Sequence, residues 1–105
     1  MNTTLKTILA TNQVIGPDGS RLPLHSGISP KACQLMQAWI AEHGPKRLLE
    51  IGLAYGVSSL FICDAIADWQ DVGYHIIDPF QHRDWQSIGL RNLDQAGFEI
   101  GRAHV

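Results

Sequence analysis

No apolar run in this 105-residue chain approaches the ~18 residues that a membrane-spanning helix needs, so nothing in it reads as a helical span. Charge of one sign is missing too. Eight Lys and Arg against ten Asp and Glu leave a net charge of -2, and the basic residues are scattered, Lys46-Arg47 being one adjacent pair. That distribution carries no electrostatic footprint for nucleic acid. Cysteine is scarce: Cys33 and Cys63 stand thirty residues apart, with no CxxC and no histidine at ligand spacing. Both read as reduced, buried, small apolar residues rather than as redox or metal groups. Residues 1–10 hold one lysine and few apolar side chains, a poor signal peptide, so a cytoplasmic location is the default expectation. Repeats and low-complexity tracts are absent.

What is there suits one small globular domain, with 45% hydrophobic and 17% charged residues. Residues 1–28 form an N-terminal segment in which 5–10 read as the start of a short helix. Gly16-Pro17-Asp18-Gly19 is a turn signal, because proline presets one dihedral and glycine accepts positive φ. A helix is expected over 29–43, with Ser29 as N-cap, Pro30 at the first position and Gly44-Pro45 as the stop. Ala32, Leu35, Met36, Trp39 and Ile40 recur at helical spacing as its apolar stripe. A short apolar strand over 47–52, a helix over 57–69 apolar on most of its surface, and a strand over 72–78 follow. Together these make a βαβ unit with parallel strands and a right-handed crossover. A third helix is expected over 84–96, with Trp85, Ile88, Leu93 and Ala96 on one face and Gly97 as its stop. The order is α-β-α-β-α, an α/β fold whose two parallel strands leave an open edge where a third should pair.

The chemistry concentrates between the strands. A strand ending in Gly52, a tight loop to Gly56 and a helix opening at Val57 place backbone N–H groups around a small anionic group. Glycine lets a ligand approach the backbone because no Cβ intervenes. Glu50 can face a cationic group near that crevice, or pair with Arg47 or Lys46. Asp78 closes the second strand, 26 residues after Gly52, where a nucleoside-binding α/β fold puts the carboxylate that accepts ribose hydroxyls. The competing reading of Asp78-Pro79 is a plain turn. Ser58 reads equally as a helix cap. A dinucleotide fingerprint needs G-x-G-x-x-G, and Ala54 and Val57 stand where two of its glycines should be. His75 reads as structural, His82-Arg83-Asp84 as a solvated helix start with no third metal ligand, and Trp39 and Trp69 as packing residues.

The remaining pattern, E-x-G-x-x-x-G followed by serine, resembles motif I of class I S-adenosylmethionine-dependent methyltransferases, in the branch of the catechol O-methyltransferase-like and related bacterial enzymes. Leu49-Glu50-Ile51-Gly52, Gly56-Val57-Ser58, Asp78-Pro79-Phe80-Gln81 and Asn92-Leu93 to Ala96-Gly97 occur in the family's order, over about residues 24–98. The resemblance implies an incomplete Rossmann-like methyltransferase fold spanning 29–99, with S-adenosylmethionine as cofactor. It further implies that Gly52, Tyr55, Gly56 and Ser58 line the methionine end, with the helix N-terminus at Val57-Ser58 on its carboxylate. Glu50 would sit near the amino group, Asp78 on the ribose, and Gln81 or Trp85 beside the adenine. Leu24-His25-Ser26-Gly27 resembles the loop that closes over the cofactor. Ala54 and Tyr55 depart from the small or variable residues usual in the loop.

The last six residues, 100–105, resemble the translation of a sequencing-library adapter and read as a non-native tail, so the natural sequence is expected to end near Glu99. Acceptor and catalytic groups of this family lie after later strands, so the resemblance implies a truncated N-terminal half, inactive by itself and marginally stable. The parent enzyme would methylate a small molecule. No catalytic residue, metal ligand or oligomeric state follows from these residues. Two rivals stay open, a nicotinamide-dependent oxidoreductase and a non-catalytic interaction module that keeps the cofactor fold.

Overall fold

The computed structural model describes residues 1–25 and 27–98. The tail at 100–105, Glu99 and Ser26 lie outside the described residues. The elements run α1 (Thr3–Thr11), β1 (Gln13–Ile15), β2 (Arg21–Pro23), α2 (Pro30–His43), β3 (Arg47–Ile51), α3 (Val57–Ile66), β4 (Gly73–Ile77), α4 (Gln81–Trp85) and α5 (Ile88–Gln95).

The centre is the expected βαβ unit. β3 and β4 pair in parallel from Arg47↔Gly73 to Ile51↔Ile77, and Gly52 N–H extends the ladder to the Ile77 carbonyl at 2.7 Å. α3 joins them and is buried almost all round, from Val57 through Leu60, Phe61 and Cys63 to Ile66. α1, α2 and α5 all pack against it. Both cysteines are buried without forming a disulfide, and burial, then the charge of Glu50, raises the Cys33 thiol above its ordinary value.

α2 begins and ends as its sequence dictates. Ser29 Oγ accepts from Ala32 N–H at 3.2 Å, Pro30 opens the helix, and Gly44 turns left-handed with its N–H on the Ile40 carbonyl. Its buried line differs from the expected stripe. Cys33 and Ile40 are buried, with Met36 and Gln37 half-buried beside them, whereas Leu35 and Trp39 are 67% and 54% exposed. The helix is rotated by its packing on α3, where Gln37 donates to the Phe61 carbonyl at 2.8 Å, and Trp39 instead stacks on His43.

Two further departures concern the flanks. The N-terminal segment holds a capped helix and an antiparallel hairpin, and its Leu5, Ile8 and Val14 belong to the same core as the βαβ unit. Asn2 caps α1 by accepting from Leu5 N–H, and its own N–H and amide donate to Asp64 of α3. The hairpin turns at the expected Gly16–Gly19, held by Asp18 on Ser20. The helix expected over 84–96 is broken in two, because Gln86 and Ser87 both adopt left-handed backbone, with φ of 53° and 58°. Ser87 N–H returns to the Gln81 carbonyl at 2.9 Å, which closes α4 and redirects α5 toward the loop after β3. Gly97 ends α5 region as expected, with φ of 88°.

One sheet face is covered, with Tyr74 and Ile76 buried. On the other, Leu49, Ile51 and Ile77 are 64%, 72% and 45% exposed. Parallel sheets ordinarily bury both faces.

Candidate functional site

The loop between β3 and α3 uses three left-handed residues in five: Gly52 (φ 88°), Ala54 (φ 50°) and Gly56 (φ 89°). The two glycines serve different ends. A Cβ on Gly56 would stand 3.2 Å from the Gly89 carbonyl oxygen, so this glycine permits the approach of α5. Beside Gly52 nothing lies within 4 Å of where a Cβ would stand. Its glycine satisfies the backbone dihedral and leaves open space on the loop's outer side. That space belongs to a cavity of about 370 Å³ lined by Glu50, Gly52, Tyr55, Gly56, Ser58 and neighbours from the loop before α2.

Under the loop, Glu50 accepts three hydroxyl hydrogen bonds: from Ser58 Oγ at 2.5 Å, from Ser59 Oγ, and from Tyr74 Oη at 2.6 Å. Pairing with Arg47 or Lys46 does not occur. Burial, then the charge of Glu50, raises the Tyr74 phenol far above its ordinary value. Ser59 and Tyr74 were not singled out in the sequence; their nine- and 24-residue separations from Glu50 give no local signal. Ser58 is no cap: Gly56 occupies that position without a side-chain bond, and Ser58 points to Glu50. The first intrahelical amide of α3 is Leu60, bonded to Gly56, so the amides of Val57, Ser58 and Ser59 precede the ladder.

Asp78 is 4% exposed. Its Oδ2 accepts from Leu53 N–H at 3.0 Å, Ala54 N–H at 3.1 Å and Gln81 Nε2 at 3.1 Å, and its Oδ1 from Phe80 N–H at 3.1 Å. Burial pushes its carboxyl up, and these hydrogen bonds outweigh that effect and hold it below the usual carboxylate value.

Gln81 does not border a ligand space. It is fully buried and its amide is bonded within the protein, which corrects its placement beside an adenine. Trp85 is half-buried in a ring cluster: it stacks on His25 at 5.7 Å and meets Tyr55 edge-on at 5.0 Å. Tyr55 Oη lies 3.4 Å from His25 Nδ1, so His25 and its loop are tied to the glycine loop. His82 bonds Ser87, and Arg83 pairs with Asp84 at the surface. Among the described residues, no three His, Cys, Asp or Glu side chains gather as a metal site. No helix of the described residues is long and apolar enough to cross a membrane.

No protein-family profile and no curated protein matches the chain. Solved structures do. A protein from Klebsiella pneumoniae assigned as an O-methyltransferase superposes with a TM-score of 0.68 at 22% identity, over 99% of this chain and 42% of that one. An O-methyltransferase from Bacillus cereus in complex with SAH superposes with a TM-score of 0.65 at 21% identity, over 92% of this chain and 40% of its own. The chain therefore has the α/β fold of O-methyltransferase structures, and it spans about two fifths of their length.

Proposed function

We propose that the chain is the cofactor-binding half of a class I S-adenosylmethionine-dependent methyltransferase acting on a small-molecule acceptor. The observation that carries this reading is the open side of Gly52, facing a cavity of about 370 Å³ at the carboxyl end of β3. Cavities of some 300–1,000 Å³ hold small ligands, and crevices at strand ends are where α/β folds bind them. The bound state of the Bacillus cereus neighbour adds to it.

In this reading Gly52, Tyr55, Gly56 and Ser58 line the methionine end. The early amides of α3 face its carboxylate. Glu50 lies near its ammonium group, with Ser58, Ser59 and Tyr74 fixing the orientation of that carboxylate. Asp78 is assigned to the ribose by the resemblance. It is 4% exposed and does not line that cavity, so only its Oδ1, which accepts one bond from Phe80 where Oδ2 accepts three, is open to a further donor in this reading. The cofactor supplies an activated methyl on a sulfonium. This chain supplies position, the main aid to an in-line displacement. This reading assigns residues of this chain to the cofactor and none to an acceptor or a general base. The missing glycines at Ala54 and Val57 set the reading apart from a nicotinamide site.

Thermal-shift titration of the folded chain with S-adenosylhomocysteine and, separately, with NAD tests it. Stabilisation by the first alone supports the assignment; stabilisation by NAD alone overturns it.

A further inference from the structure

The glycine loop shows a ligand its outer side, and its inner side is held by two carboxamides on the elements after β4. Gln81 Nε2 donates to the Ala54 carbonyl at 3.0 Å and to Asp78 Oδ2 at 3.1 Å, while its Oε1 accepts from Leu90 N–H at 3.2 Å. Asn92 Nδ2 donates to the Tyr55 carbonyl at 2.9 Å. Gln81 and Asn92 are 0% and 6% exposed. Two successive loop carbonyls, Ala54 and Tyr55, are thereby drawn inward, while the Leu53 and Ala54 amides close on Asp78. Ala54 holds positive φ without being glycine, a conformation that its surroundings must impose. The break at Gln86-Ser87 brings α5 close enough to do so, with Gly89 against Ala54.

A carboxamide is the side chain this geometry requires, since it donates and accepts at once. Glutamate would offer only acceptors at neutral pH, beside Asp78. Methionine would remove the donor to the half-buried Ala54 carbonyl and to Asp78.

We propose that Gln81 and Asn92 are positioning residues that set the shape of the glycine loop from its buried side. The purpose of that shape rests on the cofactor reading above; the bracing itself does not.

The test is amide hydrogen exchange by NMR on the full, ligand-free chain, in wild type, Gln81→Glu and Asn92→Leu. The Gly44 amide, bonded to Ile40 at the end of α2, serves as the remote reference. At neutral pH the Leu53 and Ala54 amides of Gln81→Glu should exchange at least tenfold faster than in wild type, with Gly44 unchanged. At lower pH the excess should shrink, because a glutamic acid beside Asp78 regains one of the two protons that the Gln81 amide donates. Asn92→Leu should loosen Gly56 in the same selective way. Loop and reference amides accelerating together, or no acceleration in either variant, would overturn the proposal. Wild type supplies a reading that misfolding of a variant cannot spoil: its Gln81 and Asn92 carboxamide protons should exchange slowly, and fast exchange would overturn it as well. Titration with S-adenosylhomocysteine separates the two readings. Tenfold weaker binding in both variants supports positioning for the cofactor. Selective loosening in a chain whose wild type binds none removes the cofactor reading and leaves the bracing in place.

Discussion

Gly89 packs so tightly on Ala54 that a Cβ at position 89 would collide with the Ala54 carbonyl oxygen, and would stand 2.7 Å from Leu53 Cγ and 2.8 Å from Gln81 Oε1. α5 thus touches the glycine loop through bare backbone. Gly89→Ala should destabilise the chain by about 1–3 kcal/mol, the usual cost of overpacking. Gly73→Ala is the matched control, since its Cβ would meet nothing closer than 3.8 Å and its φ is not positive. It should stay within about 0.5 kcal/mol of wild type. Urea unfolding followed by circular dichroism measures both; equal effects would contradict the tight approach.

Tyr74 leads to a prediction at high pH. Its phenol is raised in the fold, by burial first and by Glu50 second, so the folded chain keeps a proton that the unfolded chain releases near pH 10. Stability from this group is complete below that pH and is lost as pH rises beyond it. Tyr74→Phe should cost about 1–3 kcal/mol at neutral pH, as one hydrogen bond to a charged group is lost. It should also flatten the fall in stability above pH 10. An unchanged alkaline limb in the variant would count against the Tyr74–Glu50 bond.

Asp78 behaves in the opposite sense. Its carboxyl is held low despite burial, by the amides of Leu53, Ala54 and Phe80 and by Gln81. Its contribution is therefore present above the unfolded value of about 4 and lost as pH falls through the lower folded value. Asp78→Asn should destabilise by about 1–3 kcal/mol at pH 7, with the gap to wild type shrinking below pH 4. Thermal unfolding across pH 2–7 checks this, and a gap that does not change with pH would contradict it.

Much of the scaffold was legible because its signals are local. Ser29, Pro30 and Gly44 mark the ends of α2 by side-chain chemistry that acts within four residues. β3, α3 and β4 follow from apolar runs bounded by glycine and by Asp78-Pro79. The hairpin of β1 and β2 was not legible, because each strand has three residues and no periodicity develops. Nor was the break in the last helix: Gln86 and Ser87 carry no mark of left-handed backbone, which Gly89 packing and the Gln81 carbonyl impose from outside. At the site, Gly52, Gly56, Glu50 and Asp78 stood out by type and spacing. Ser59 and Tyr74 did not, because they reach Glu50 through the fold, and the resemblance puts Gln81, three residues from Asp78, beside an adenine rather than in its bonds to Asp78 and Ala54.

The bare sheet face gives a prediction about behaviour in solution. Leu49, Ile51 and Ile77 expose apolar surface beside a sheet edge that pairs with no strand among the described residues, a combination that promotes association. The chain should self-associate as its concentration rises, and Ile51→Lys should reduce this without loss of helix content. Sedimentation velocity of both at matched concentrations decides the matter; equal association would place the contact elsewhere.

The central claim, that the open side of Gly52 is where the cofactor lies, is tested most directly by calorimetric titration of S-adenosylhomocysteine into wild type, Gly52→Ala and Gly97→Ala. Both glycines have φ of 88° and open space beside them, so each substitution places a Cβ at positive φ, at a cost of about 1–2 kcal/mol. Saturable binding that weakens at least tenfold, about 1.4 kcal/mol, in Gly52→Ala and is unchanged in Gly97→Ala is the expected result. A folded wild-type chain that takes up no S-adenosylhomocysteine, or binding that the Gly52 methyl leaves untouched, would contradict it.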